Sequence, residues 1–207
     1  MLDNLHGKFI VLDGPEGCGK STQLRLLAET LQSRNVPILC VRDPGTTRIG
    51  EQIRTILLNP EHAELSMRCE MLLYMAARAQ MMSQIILPAM AGGKLVLSDR
   101  FVSSTLAYQA GGEGLSESDI RAVADIALQN RWPDLILLLD MPPERSFQRL
   151  NRARDRIEQR PPAYHSQVRE NYLSQARNDP VHHRVIPADQ PIEAVHQEIL
   201  AAVLGLA

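Results

Sequence analysis

Short, wholly apolar runs alternate along this chain with longer stretches in which apolar residues recur every three or four positions. Phe9-Ile10-Val11-Leu12, Ile38-Leu39-Cys40-Val41, Lys94-Leu95-Val96-Leu97-Ser98 and Leu135-Ile136-Leu137-Leu138-Leu139-Asp140 have the length and uniform hydrophobicity of strands buried on both faces. Val185-Ile186 is a shorter run of the same kind. Helical spacing appears at Leu24, Leu27, Ala28 and Leu31, then over residues 50–58, about 66–86, 116–130, 164–178 and 191–204. Asn59-Pro60 stops the second of these, Pro88 lies near the end of the third, and Ser116 is placed to cap the fourth. Met67, Met71 and Met75 fall four apart and read as core filling. The pattern is that of an open α/β sheet of parallel strands, carried by one domain over residues 1–207.

Between the first strand and the first helix stands Gly14-Pro15-Glu16-Gly17-Cys18-Gly19-Lys20-Ser21, which reads G-x-x-x-x-G-K-[ST] without a gap, followed by Thr22. Its glycines let the backbone curl so that successive N–H groups face anionic oxygens, and the helix that follows adds the positive end of its dipole. Lys20 is placed to reach the β- and γ-phosphates of a nucleotide such as ATP, and the Ser21 hydroxyl to meet a Mg²⁺ ion. Lys8, Lys20 and Lys94 are the lysines in a chain that otherwise prefers arginine.

Ligands of open α/β sheets bind beyond the carboxyl ends of the strands. Arg42 and Asp43 leave the second strand there, although Asp43-Pro44-Gly45 is also turn chemistry in its own right, and both readings stand. Asp99 and Arg100 leave the third, an acid suited to holding Mg²⁺ directly or through water and a base suited to countering phosphate charge. Arg78 sits among alanines one turn after Tyr74, so the pair can hold a flat ring, while an exposed helix arginine is the default. Ser104, Tyr108 and Gln109 cluster hydroxyl, phenol and amide groups, and Gln109 can both donate and accept. Between Arg145 and Arg160 lie six arginines, and Arg149, Arg152, Arg156 and Arg160 fall at helical spacing. They suit either a solvated basic face or a mobile lid that supplies the charge the loop's own variable positions lack.

A formal charge of −2 and a pI near 6.3 exert no global pull on nucleic acid or acidic membranes. Cys18, Cys40 and Cys69 are scattered and none has metal-ligand spacing. No apolar run approaches the ~20 residues of a membrane span, and Lys8 to Leu12 reads as a strand rather than a leader. The expectation is a cytoplasmic protein with no nucleic-acid or membrane partner.

In order along nearly the whole chain, the glycine loop, Arg42-Asp43-Pro44-Gly45, Ala76-Ala77-Arg78-Ala79-Gln80, Asp99-Arg100-Phe101, Ser104 to Gln109, Pro133-Asp134 and Asp155-Arg156-Ile157-Glu158 resemble the thymidylate kinase family of P-loop nucleoside-monophosphate kinases. The resemblance implies a five-stranded parallel sheet in the order 2-3-1-4-5 with an arginine-rich lid over about 145–160, a homodimer, and transfer of the ATP γ-phosphoryl group to dTMP to give dTDP. It implies Mg²⁺ at Ser21 and Asp99, ATP along Gly14 to Thr22, and catalytic roles for Lys20, Asp99, Arg100 and a lid arginine, Arg154 first, then Arg149 and Arg152. It places Glu16 on the sugar 3′-hydroxyl, Arg42 and Arg100 on the acceptor phosphate, Arg78 and Gln109 on the thymine edge, Tyr74 stacked on the ring, Tyr108 against any ribose 2′-hydroxyl, and Ser104 beside them. The chain departs from the family at Asp43 for Glu, at Thr46 for a second glycine whose backbone freedom it would lack, at Tyr74 for Phe, and in a compressed segment before Asp155. The rival readings are a kinase for dUMP, dCMP or a deoxynucleoside, and a P-loop ATPase switch. The switch lacks both a D-x-x-G after a strand and an N-K-x-D motif.

Overall fold

A computed structural model describes residues 2–150 and 152–206. Strand β1 (Phe9–Asp13) lies at the centre of a five-stranded parallel sheet, between β3 (Leu95–Asp99) and β4 (Leu135–Asp140). β2 (Ile38–Arg42) extends it beyond β3 and β5 (His183–Pro187) beyond β4, so the order is β2-β3-β1-β4-β5, as expected. All five residues of β1 are buried, because successive side chains serve opposite cores. Ile10 and Leu12 join Leu27, Leu31, Leu97, Leu139 and Ile199 under helices α1 (Lys20–Gln32) and α9 (Ile192–Leu204). Phe9 and Val11 join Met71, Met75, Val96, Phe101 and Ile120 on the other face. That face is covered by α3 (Met67–Met81), α5 (Val102–Gln109) and α6 (Glu117–Leu128).

The register fixes the working edge of the sheet. Asp99 lies level with Leu12 of β1 and with Arg42 of β2, and Asp13 follows one residue on, so the chain leaves three strands with Asp13, Arg42 and Asp99 side by side. Helix α2 (Arg48–Leu58) is capped by Thr47, whose side chain accepts from the Gly50 N–H. Ser116 and Asp119 form a reciprocal capping box at the start of α6.

Two predicted elements differ in form. The stretch expected as one helix over 66–86 keeps its α pitch to Met81, widens to a π-helix over Met82–Ile86, and resumes as α4 (Leu87–Ala91). Pro88 falls in the first turn of α4, directly after the π-helical stretch. The basic stretch is not one helix. It opens with α7 (Pro143–Gln148) and then turns irregularly until α8 (Pro162–Asn178), with residue 151 outside the described residues. The Asp155 carboxylate accepts from the Ile157 and Glu158 N–H groups, and Glu158 accepts from the Asp155 N–H. These local bonds give the backbone a tight turn in place of helix, so Arg149, Arg152, Arg156 and Arg160 share no helical face.

Candidate active site

The glycine loop bridges β1 and α1, and two of its glycines are there for space. A Cβ on Gly14 would stand 2.4 Å from the Leu139 carbonyl oxygen of β4, and one on Gly17 would stand 2.2 Å from the Ser146 carbonyl oxygen of α7. The loop is therefore wedged between the sheet and α7, where the basic stretch opens. Lys20 starts α1, and its Nζ donates to the Gly14 and Pro15 carbonyl oxygens at 3.0 and 2.7 Å. Ser21 Oγ donates to Asp99 Oδ2 at 2.6 Å, so the two groups expected at the metal sit together on the loop's rim. Cys18 is buried, and burial pushes its thiol above the usual range despite nearby Lys20, which makes it an inert filler.

Behind the loop lies a charged network that sequence reading did not anticipate. Asp13, fully buried, accepts from the Gly14 N–H and from the hydroxyls of Ser103, Ser104 and Tyr172 at 2.6–2.9 Å. Against it rests Arg100, whose Nη1 reaches Asp13 Oδ1 (3.3 Å), the Gly14 carbonyl, Ser104 Oγ and Tyr172 Oη. Its Nη2 meets Glu16 Oε1 at 2.5 Å. Arg100 also takes φ +69°, a left-handed conformation uncommon outside glycine, at the point where β3 gives way to α5. Burial works against the charges of both Glu16 and Arg100. Arg100, then Lys20, outweigh it for Glu16 and hold that carboxyl below its usual value, and Glu16 in turn holds the guanidinium above its own.

Two cavities meet at this network. One, about 870 Å³ including its mouth, is lined by Gly17, Gly19, Lys20, Ser21, Thr22, Arg42 and Asp99. The other, about 590 Å³, is lined by Tyr74, Arg78, Ser104, Thr105, Tyr108 and Gln109. Glu16, Asp43, Arg54, Arg100 and Arg152 belong to both. A third hollow, beyond Gly17 and Gly19, is bounded by Arg149, Gln190 and Ile192.

The two open readings of the second strand's end now resolve by position. Asp43 is 2% exposed and receives Arg78 Nε at 2.8 Å, while Arg42 stays exposed at the edge of the loop cavity and pairs with Glu51 at 2.9 Å. Arg78 is 1% exposed, not the exposed helix arginine of the default reading, and its guanidinium stands 5.1 Å over the Phe101 ring. Burial raises the Asp43 pKa, and Arg78 opposes that shift. Thr46 does take the glycine-like conformation its side chain was expected to forbid, at φ +68°. Its N–H donates to Glu51 and its hydroxyl bonds both backbone groups of Arg42, contacts that offset the strain.

The arginines of the basic stretch go to different places. Arg152 lines both cavities and is held by Glu158. Arg149 faces the third hollow, and Arg154 stacks 4.7 Å over the Phe147 ring outside all three. Arg156 and Arg160 turn inward to Glu70. Arg54 is a further cavity residue that the sequence reading passed over. It sits one turn after the residue pairing with Arg42, and its Nη1 donates to the Pro44 carbonyl at 3.0 Å. Helical phase relative to the Asp-Pro-Gly turn was the signal available for it.

Likeness to known proteins bears on what this arrangement is. A family model described as thymidylate kinase matches residues 12–199. A thymidylate kinase of Pelotomaculum thermopropionicum is 45% identical over 201 residues, covering 96% of this chain and 93% of its own. One from Pseudomonas savastanoi pv. phaseolicola is 43% identical over 195 residues, covering 93% of each. The crystal structure of thymidylate kinase from Ehrlichia chaffeensis superposes with a TM-score of 0.77 at 28% identity, over 95% of this chain and 98% of that one.

Proposed function

Because the chain belongs to the thymidylate kinase family, and so makes dTDP from dTMP with ATP as donor, we propose that its two adjoining cavities hold the two nucleotides phosphate to phosphate. The observation that carries this division is the shared wall. Glu16, Arg54, Arg100 and Arg152 line both spaces, so a phosphate entering from either side ends against the same guanidinium groups.

On the donor side, Gly14 to Thr22 wrap the ATP phosphates, Lys20 neutralises the transferred group, and the hollow beside Arg149 takes the adenosine. On the acceptor side, Tyr74 packs on the thymine ring, Arg78 and Gln109 meet its edge, and Tyr108 and Ser104 border the sugar with Glu16. Arg100 and Arg54 hold the acceptor phosphate, with Arg42 at the rim. That phosphate is already an anion at neutral pH, so transfer needs alignment and charge neutralisation rather than a strong base.

Ser21 and Asp99 fit a Mg²⁺ ion that arrives with the nucleotide. They are hard oxygen donors 2.6 Å apart at the phosphate crevice, and Mg²⁺ is commonly held by one or two protein groups plus phosphate oxygens. When bound, the ion neutralises charge developing on those oxygens. Among the described residues, no group of three or more His, Cys, Asp or Glu side chains is placed to hold a metal ion. A homodimer is supported by Ile49, Ile56, Leu72 and Ile126, apolar residues left exposed on the contiguous α2, α3 and α6. Among the described residues, no helix is long and apolar enough to cross a membrane.

The test is an acceptor panel of dTMP, dUMP, dCMP, dGMP and thymidine with Mg-ATP. The expected result is the highest kcat/KM with dTMP. A preference for another member overturns the base-edge assignment, and ATP turnover without any acceptor overturns the two-nucleotide reading.

A further inference from the structure

Glu70, an acid with no exposed surface outside the phosphate crevice, lies on α3 two turns before Arg78. Its two carboxylate oxygens have different partners. Oε2 is held by Arg156 and Arg160, the arginines that turn inward from the lid segment. Oε1 accepts from Gln109 Nε2 at 2.5 Å. A carboxylate gripped by two guanidinium groups can only accept, so it decides which way the Gln109 amide points. The NH₂ group goes to Glu70. The carbonyl Oε1 is buried without a partner, on a residue that lines the acceptor cavity and is itself 1% exposed.

We propose that Glu70 is a specificity-determining residue: by holding the Gln109 amide nitrogen, it commits the cavity to an acceptor at that point. The pocket therefore selects pyrimidines bearing a ring N–H and refuses those whose ring nitrogen is itself an acceptor. This rests on the reading above that Gln109 meets the base edge. Thymine and uracil carry an N–H at ring position 3 flanked by a carbonyl. Cytosine carries a bare nitrogen there flanked by an amino group. Against cytosine, Gln109 Oε1 would face a lone pair and the Arg78 donors would face N–H groups, leaving buried polar groups unpaired on both counts. The orientation is rigid because Glu70 is itself fixed by two arginines. Without it, the amide could turn over and accept either base.

The substitution Glu70→Gln tests this directly. Arg156 and Arg160 still require an acceptor, so the new amide oxygen faces them and its NH₂ faces Gln109, which must reverse and present NH₂ to the cavity. The expected result is that the kcat/KM ratio of dTMP over dCMP falls at least about tenfold, part of it through a gain on dCMP, which general loosening of the fold would not produce. Gln109→Leu, assayed alongside, separates the two levels. If Gln109→Leu leaves the ratio unchanged, the base-edge reading fails. If it collapses the ratio while folded Glu70→Gln retains it, the role of Glu70 fails and the base-edge reading stands. A measurement on the unaltered protein covers the case in which Glu70→Gln does not fold. With ¹⁵N-glutamine labelling and dTMP bound, the Gln109 Nε2 protons should give no cross-peak to the pyrimidine ring. Cross-peaks from that NH₂ group to the base would overturn the proposal.

Discussion

Replacing Arg100 with alanine sets two consequences of one side chain against each other. Its guanidinium makes five hydrogen bonds, to Asp13, the Gly14 carbonyl, Ser104, Tyr172 and Glu16. Breaking a buried ion pair ordinarily costs about 3–5 kcal/mol because a charge is stranded. Here Asp13 keeps three hydroxyl donors and the Gly14 N–H, and Glu16 keeps the fields of Lys20, Arg152 and Arg54. The stability loss should therefore be nearer ~2 kcal/mol, a fall in Tm of roughly 4–8 °C for a chain of this size. With about 5–15 kcal/mol of total stability, the variant stays folded at 25 °C. The catalytic loss is separate. Removing one donor aimed at developing charge costs a factor of about 10²–10³, or ~2.7–4 kcal/mol. Initial rates of ADP release at saturating dTMP should show kcat reduced by that factor, while the KM for ATP moves less than ~threefold, since Lys20 and the loop are untouched. A variant that melts lower as expected but turns over within ~threefold of the unaltered enzyme would make Arg100 a structural clamp only.

Arg152→Ala should lower kcat by about 10²-fold while Arg154→Ala changes it by less than ~threefold, because Arg152 lines both cavities and Arg154 lines neither; the reverse order in a steady-state assay would mean that Arg154 travels to the phosphates. Gly17→Ala should cost at least ~2 kcal/mol in urea denaturation, since it combines φ +73° with a Cβ 2.2 Å from the Ser146 carbonyl; an unchanged midpoint would show that α7 is not packed on the loop. Asp134 is partly buried, which would raise its pKa, but the Phe9 N–H, Arg131 and Lys8 outweigh burial and depress it below its usual 3.8. Its contribution is thus present above pH ~4 and is lost as pH falls through the depressed value. Asp134→Asn should lower Tm at pH 7 and converge with the unaltered protein in strong acid, and a constant difference across that range would remove the ion pairs from the explanation.

The sheet was legible because β1, β3 and β4 are buried on both faces and so advertise themselves as unbroken apolar runs. The glycine loop was legible because its requirement is local: a backbone that curls and a lysine at fixed distance. What escaped was set by partners far off in sequence. Nothing beside Asp13 marks it as the anchor of Arg100, 87 residues away, or of Tyr172, 159 residues away. The arginines of the basic stretch misled for the same reason. Their spacing satisfied a helix, but Glu158 and Asp155 folded the backbone into a turn, and Glu70, 86 residues before Arg156, claimed two of the side chains. Charge periodicity records which residues lie on a common face only if a helix forms, and here local carboxylates offered the backbone an alternative.

The pairing of cations with carboxylates also sorts the site by what each charge can do. Arg78 with Asp43, Arg42 with Glu51, Arg100 with Glu16 and Arg152 with Glu158 are held forks, whose rotamers are already chosen and whose net field is largely cancelled. Lys20 and Arg54 differ, for they hydrogen-bond backbone carbonyls and not carboxylates. Lys20 lines the loop cavity and Arg54 both cavities, so a phosphate passing between the two would meet, at each end of its path, a cation not tied into a hydrogen-bonded ion pair, and positioned donors in the middle. Under the proposed placement of the two nucleotides, positioning and neutralisation, the two demands of phosphoryl transfer, fall to different side chains. The division explains why a chain with a net charge of −2 needs no basic surface to bring two polyanions together.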